Sequence, residues 1–168
     1  PSTKQTSMLT VRTGTERDYE RAIEISLDAF SNLKPLISED SWQLMEEGIP
    51  KTVMDPDRGQ LLVAEEAGEL LGFKLGYQLD ADTFYSWFGG VSPLARNKGV
   101  AQQLLDVQEL WACAQGYRRI TVKSRNQFPA MLRLLLRNQY LIAGFEPHQP
   151  LEDARIHFVK TLSPVIKN

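Results

Sequence analysis

The chain has 168 residues, near the size of one domain, and its 42% hydrophobic and 24% charged composition excludes the disordered, fibrous and membrane-embedded classes. Nineteen basic residues against 21 acidic ones leave a formal charge of -2, so no overall field draws the protein to nucleic acid or to an anionic membrane. Cys113 is the one cysteine and has no partner for an internal disulfide, the first residues lack a signal-peptide apolar run, and no stretch approaches the roughly 20 apolar residues that span a bilayer. A cytoplasmic protein with no membrane and no nucleic-acid partner is expected.

Residues 1–8 are polar and aperiodic and are expected to form a flexible tail, with residues 9–168 as a single domain. Leu9 to Arg12 reads as a short strand. Thr15, followed by Glu16 and Asp18, caps a pattern in which Tyr19, Ala22, Ile23, Leu27 and Phe30 recur at helical spacing. Pro35 breaks that pattern, and Ser38 with Glu39 and Asp40 starts a second helix that runs to about Gly48. After the turn cluster Asp55 to Gly59, Leu61 to Glu65 and Leu70 to Leu79 read as a hairpin joined at Ala67-Gly68. Asp80-Ala81-Asp82 turns the chain into an aromatic-rich strand, Phe84 to Val91. Then come a long helix, Ala101 to Gln115, ended by Gly116, and a strand, Ile120 to Ser124. A helix with Pro129 as its first residue runs to Arg137, and Tyr140 to Phe145 and Ile156 to Leu162 close the chain as strands. The order β-α-α-β-β-β-α-β-α-β-β belongs to the α+β class, with helices on both faces of a sheet.

The segment from Val91 to Gln102 carries the chemistry. A helix start leaves about four backbone amides without partners and carries roughly half a positive charge, so phosphate is stabilised there. Gly99 allows a close main-chain approach, and Arg96 and Lys98 add fixed positive charge. Taken alone, Arg-x-x-Gly-x-Ala is more often the pattern of a solvated loop.

Strand, Val-x-Pro, Arg-x-x-Gly-x-Ala, long helix, strand, asparagine and helix together resemble the GNAT superfamily of N-acetyltransferases, from Leu9 to about Leu162. The resemblance implies a mixed, mostly antiparallel twisted sheet and a CoA pyrophosphate cradled by Arg96, Asn97, Lys98, Gly99, Val100, Ala101 and Gln102. It also implies that the pantetheine arm pairs with the backbone at Val91 and contacts Asn126. Acetyl-CoA is then the co-substrate, no metal takes part, and the acceptor is a primary amine of a small molecule or peptide. The alternative within the same fold is an acyl-CoA-binding module with weak or no catalysis. A monomer or homodimer is expected.

Two positions depart from the family pattern. The strand that often carries a glutamate base has Tyr85, beside Ser86 and Trp87, at the matching place, which makes Tyr85 the candidate catalytic residue there. The family's Gly-Phe pair falls on Gln139-Tyr140, and its tyrosine acid falls on Leu135. A second alignment uses Gly144-Phe145 and makes Tyr140 the acid, at the expense of a strand. Neutralising a lysine amine at pH 7 costs about 5 kcal/mol against about 1 kcal/mol for an α-amino group, so a site without a carboxylate suits an α-amine. Glu39, Asp40, Glu46, Glu47, Asp80 and Asp82 would favour a cationic acceptor.

Other signals are weak. The Gly89 to Gly99 stretch lacks the Gly-Lys-Ser/Thr ending of a nucleotide loop, and Ser92 lacks the second glycine of a nucleophile elbow. His148 and His157 have no cysteine near them for a zinc site, and Cys113 lies on the apolar side of its helix.

Overall fold

The computed structural model describes residues 8–30 and 51–163. The chain runs through β1 (Thr10–Thr13), α1 (Tyr19–Phe30), a single turn α2 (Lys51–Met54), β2 (Gly59–Glu66), β3 (Glu69–Asp80) and β4 (Thr83–Val91). It continues through α3 (Val100–Ala114), β5 (Arg119–Arg125), α4 (Pro129–Arg137), β6 (Leu141–Glu146) and β7 (Arg155–Thr161). The predicted order is present apart from the helix from Ser38 to Gly48, which lies outside the described residues together with the residues ahead of Met8. The turn α2 has no periodic signal in the sequence.

The seven strands form one sheet in the order β1-β2-β3-β4-β5-β7-β6. Every neighbouring pair is antiparallel except β4 and β5, which are parallel. A parallel pair needs a crossover, and α3 provides it. The β2–β3 hairpin turns through Ala67 and Gly68 with φ of 52° and 80°, the doubly left-handed geometry that matches strand twist. Strand alternation sends Leu61 and Val63 of β2 to one face, where they pack with Phe73, Leu75 and Ile25 of α1. It sends Leu62 and Ala64 to the other, against Val100 and Leu104 of α3. The same α3 face carries α4, whose Leu134 and Leu135 pack with Leu105, Phe84, Ile120 and Phe158.

One buried carboxylate ties the first strand to the first helix. Arg12 of β1 donates to Asp18 at 2.9 Å and to Glu65 of β2 at 3.0 Å, while the Thr15 N–H donates to Asp18 at 2.7 Å. The Arg12 hydrogen bonds hold the Asp18 carboxyl below the usual carboxylate range against the opposing effect of burial.

Candidate functional site

The sheet opens between its two parallel strands. β4 and β5 pair only from Thr83 to Ser86 and from Arg119 to Val122. Beyond that point β4 stays with β3 as far as Val91, and β5 stays with β7 as far as Arg125. The parting begins at a bulge: Gly76 lies opposite Ser86 and Leu75 opposite Phe88, which leaves Trp87 as an extra residue that bends β4. The result is a cleft of about 610 Å³ that passes through the sheet and is lined from both faces.

At one mouth stands the start of α3. Asn97 and Gly99 have φ of 69° and 75°, so the chain reverses on either side of Lys98 and enters the helix at Val100. The first helical bond at this end runs from the Gln103 N–H to the Gly99 carbonyl, 3.0 Å, so the amides of Val100, Ala101 and Gln102 precede the helix's own ladder. Val100 itself is buried over Gly72, where an added Cβ would lie 2.7 Å from the valine.

Of the residues the sequence implicates in cofactor binding, Val91, Arg96 and Ala101 line the cleft, while Asn97, Lys98, Gly99, Val100 and Gln102 build the loop and helix turn at its mouth. Lys98 Nζ sits 3.5 Å from Glu66, and the Gln102 side chain exchanges hydrogen bonds with Asn138 at 2.8 and 3.0 Å, clamping α3 to the end of α4. Only the main chain of Gln102 is therefore available to a phosphate. Asn126 is absent from the lining: its side chain donates to the Leu151 carbonyl at 2.9 Å, and the neighbouring Gln127 lines the cleft instead, fixed by Asp153 at 3.0 Å.

Tyr85 does line the cleft, on the α1 face of the sheet. Its ring meets Tyr77 edge-on at 5.4 Å between centroids, and Lys123 Nζ lies 5.8 Å above it. The helix α4 ends at Arg137, and Gln139 takes the left-handed conformation, φ 64°, that commonly falls to glycine after a helix. This agrees with placing Gln139-Tyr140 where the family has Gly-Phe. The alternative through Gly144-Phe145 fails, because those residues lie in β6. Leu135 and Tyr140 are both fully buried core residues, and burial raises the Tyr140 hydroxyl well above the ordinary phenol range, so it is no proton donor to the cleft.

Several cleft residues escape the motif. Lys74, on the α3 face opposite Gly89, is buried, and desolvation pushes its amine down to about 8 against a weaker opposing pull from Glu109. Ser86 Oγ, also in the cleft, and the Gln108 side-chain amide of α3 are buried without a hydrogen-bond partner among the described residues. A lysine inside Leu70-Leu71-Gly72-Phe73-Lys74-Leu75, an otherwise apolar strand, is the sequence signal for this side of the site. Lys123, Arg125 and Arg155 line the opposite face. Gly89 has a packing reason as well: an added Cβ would approach the Phe73 carbonyl of β3 to 2.8 Å.

Among the described residues no group of three His, Cys, Asp or Glu side chains is placed to hold a metal ion, and no helix is long and apolar enough to cross a membrane. His157 instead pairs with Glu146 at 2.7 Å, and Cys113 donates to the Ser163 carbonyl at 3.0 Å.

Comparison with solved structures finds the same fold in the ribosomal-protein-S18-alanine N-acetyltransferase from Escherichia coli, 15% identical over 96% of this chain and 98% of that one, with a TM-score of 0.74. Ard1 from Thermoplasma volcanium is 16% identical over 92% and 98%, with a TM-score of 0.71. A GNAT family acetyltransferase from Elizabethkingia anophelis with acetyl-CoA bound is 19% identical over 92% and 98%, with a TM-score of 0.67. A search of curated proteins finds no match. The sequence pattern of the Acetyltransferase (GNAT) family matches residues 19–139, from the start of α1 to the residue after the α4 cap. The chain belongs to the GNAT family, as an acetyltransferase that takes acetyl-CoA as its donor.

Proposed function

We propose that acetyl-CoA lies in the gap between β4 and β5, with its pyrophosphate at Arg96 and the amides of Val100, Ala101 and Gln102, and that its acetyl group passes to a primary amine of a small molecule or peptide. The observation that carries this reading is the adjacency of two features: a helix start with amides outside the helical ladder, and a sheet that parts beside it. Neither suits a packed core. The amides stabilise a diphosphate through hydrogen bonds to charge, each worth about 1.5 to 3 kcal/mol, and Arg96 adds a guanidinium at the same mouth. Among the described residues β4 pairs with β5 only as far as Ser86, and the gap-side main chain of Gly89 to Val91 is where an extended arm of amide character would pair.

The cofactor supplies an activated thioester, and the protein's part is to hold it, exclude water and receive the acceptor. The phosphate-binding mouth belongs to the α3 side of the sheet, so an arm threaded through the gap ends near the α1 face, where Tyr85 and Trp87 stand. Tyr85 flanks that end and is proposed to contact the acceptor. Among the described lining residues no carboxylate is present to take a proton from a lysine side chain, which favours an acceptor whose amine is neutral at modest energy, such as an α-amino group. The test is release of free thiol from acetyl-CoA over a panel of primary amines. Turnover with an α-amine is expected; binding of CoA with no turnover on any amine would reduce the protein to a CoA-binding module.

A further inference from the structure

Among the described residues the cleft has five cationic side chains on its walls, Lys74, Arg96, Lys123, Arg125 and Arg155, and no aspartate or glutamate. The chain as a whole is acidic, with a formal charge of -2, so this imbalance is local. The five cations do not occupy one place. Arg96 is at the α3 mouth, where the pyrophosphate is proposed to sit, and Lys74 is on the α3 face.

Strand register puts the other three together. Lys123 lies opposite His157 and Arg125 opposite Arg155, positions two residues apart on β5 and β7 that share the face of Tyr85. Lys123 stands over the Tyr85 ring at 5.8 Å. Among the described residues, Glu146, His157 and Asp153 lie near them. Glu146, opposite Arg155 on β6, is held by His157 at 2.7 Å, and Lys123 and Arg155 help keep its carboxyl below the usual range. Arg125 donates to the Asp153 carbonyl at 2.5 Å, and the Asp153 carboxylate accepts from Gln127 at 3.0 Å. Among the described residues one carboxylate with a histidine on it is set against two cations beside an open cleft and a third, buried one, an excess of positive charge on this face.

We infer that Lys123 and Arg155 form a subsite for an oxyanion carried by the acceptor, so that the acceptor is an amine that also bears a carboxylate or a similar anionic group. This rests on the proposed seating of acetyl-CoA, which leaves the α1 face to the acceptor, and it differs from the expectation of a cationic acceptor drawn by acidic residues. Of those residues, Glu39, Asp40, Glu46 and Glu47 lie outside the described ones, and neither Asp80 nor Asp82 lines the cleft. Asp80 instead accepts the Asp82 N–H at 2.8 Å, and Asp82 lies 3.6 Å from Arg118. A carboxylate held by Lys123 and Arg155 would anchor the acceptor beside Tyr85, and the aromatic wall would pack its carbon skeleton.

The experiment compares free L-α-amino acids with their own α-carboxamides as acceptors, by thiol release from acetyl-CoA. The carboxamide has the less basic amine and is the easier nucleophile to neutralise, so a preference for the acid must come from recognition. The acid is expected to exceed its carboxamide at least tenfold in kcat/KM. Lys123→Gln and Arg155→Gln, each made singly and checked for native unfolding temperature, should each reduce that ratio severalfold while the KM for acetyl-CoA changes less than threefold. Equal or better use of the carboxamide would overturn the inference. So would a ratio that survives both replacements, or replacements that raise only the acetyl-CoA KM, which would give these cations to the cofactor's phosphates. If CoA binds and no amine is turned over, the transfer reading fails by itself. Calorimetry of the acid and the carboxamide against the CoA-loaded protein then decides this inference: tighter binding of the acid upholds it, and equal binding overturns it.

Discussion

Replacing Lys74 with methionine is expected to stabilise the protein at pH 7 by up to about 3 kcal/mol. Lys74 is 8% exposed and its amine is pushed from an ordinary 10.5 down to about 8, first by desolvation, with Glu109 offsetting only part of it. Each tenfold difference in proton affinity between folded and unfolded chain is worth about 1.4 kcal/mol, which sets the size of the effect. Because the folded value lies below the unfolded one, the unfolded chain binds more protons between about pH 8 and 10.5, and wild-type stability rises with pH through that window. Below it the penalty is at full strength. Methionine keeps the unbranched stem and carries no charge, so Lys74→Met should gain most at pH 7 and progressively less toward pH 10. Tyr19, Tyr117 and Tyr140 titrate in both proteins and cancel in the difference. Urea unfolding of both proteins at pH 7 and pH 10 measures it. A Lys74→Met protein that is less stable at pH 7, or a difference that does not shrink with pH, would refute the reasoning. Lys74 lines the cleft proposed to hold acetyl-CoA, so acetyl transfer is expected to fall in the more stable variant.

Arg96→Ala removes an exposed guanidinium from the cleft mouth and should weaken acetyl-CoA binding about tenfold by calorimetry at low salt, with a smaller effect at high salt. Gly72→Ala would set a Cβ 2.7 Å from Val100 Cγ1 and 3.1 Å from the Gly90 carbonyl, so it should destabilise the fold by roughly 1 to 3 kcal/mol and raise the acetyl-CoA KM by shifting the first residue of α3. Asp18→Asn should cost about 1 to 2 kcal/mol at pH 7 in chemical denaturation. The Asp18 carboxyl is held below its ordinary value of 3.8, so this contribution is present above that pH and is lost as acid protonates the folded state; the variant and wild type should converge in strong acid.

What the sequence makes legible is local. Thr15 with Asp18, Ala67-Gly68, Gly116 and Pro129 are punctuation marks whose geometry follows from their own backbone and side chains, and each stands where the structure ends or begins an element. The start of α3 is legible for the same reason, since Gly99 and the apolar rhythm after it are contiguous. The cleft is not, because it is made by pairing that stops. Trp87 reads as one more strand aromatic until the β3–β4 register shows it to be an extra residue. Lys123 and Arg155 lie 32 positions apart in the chain, and only the insertion of β7 between β5 and β6 brings them to one wall. Asn126 shows the same limit from the other side: its place in the chain follows the family, while the hydrogen bond its side chain makes to the Leu151 carbonyl depends on a loop 25 residues away. Lys74 is visible as a charge in an apolar strand, yet its burial depends on α3 and on both neighbouring strands.

Amide chemical shifts of isotope-labelled protein, followed while CoA is titrated in, test the central claim most directly. The account predicts that the largest changes fall on Gly99 to Gln102 and on Gly89 to Val91, the helix start and the stretch of β4 beyond its pairing with β5. Saturable binding that leaves both segments unmoved and shifts amides elsewhere would contradict it.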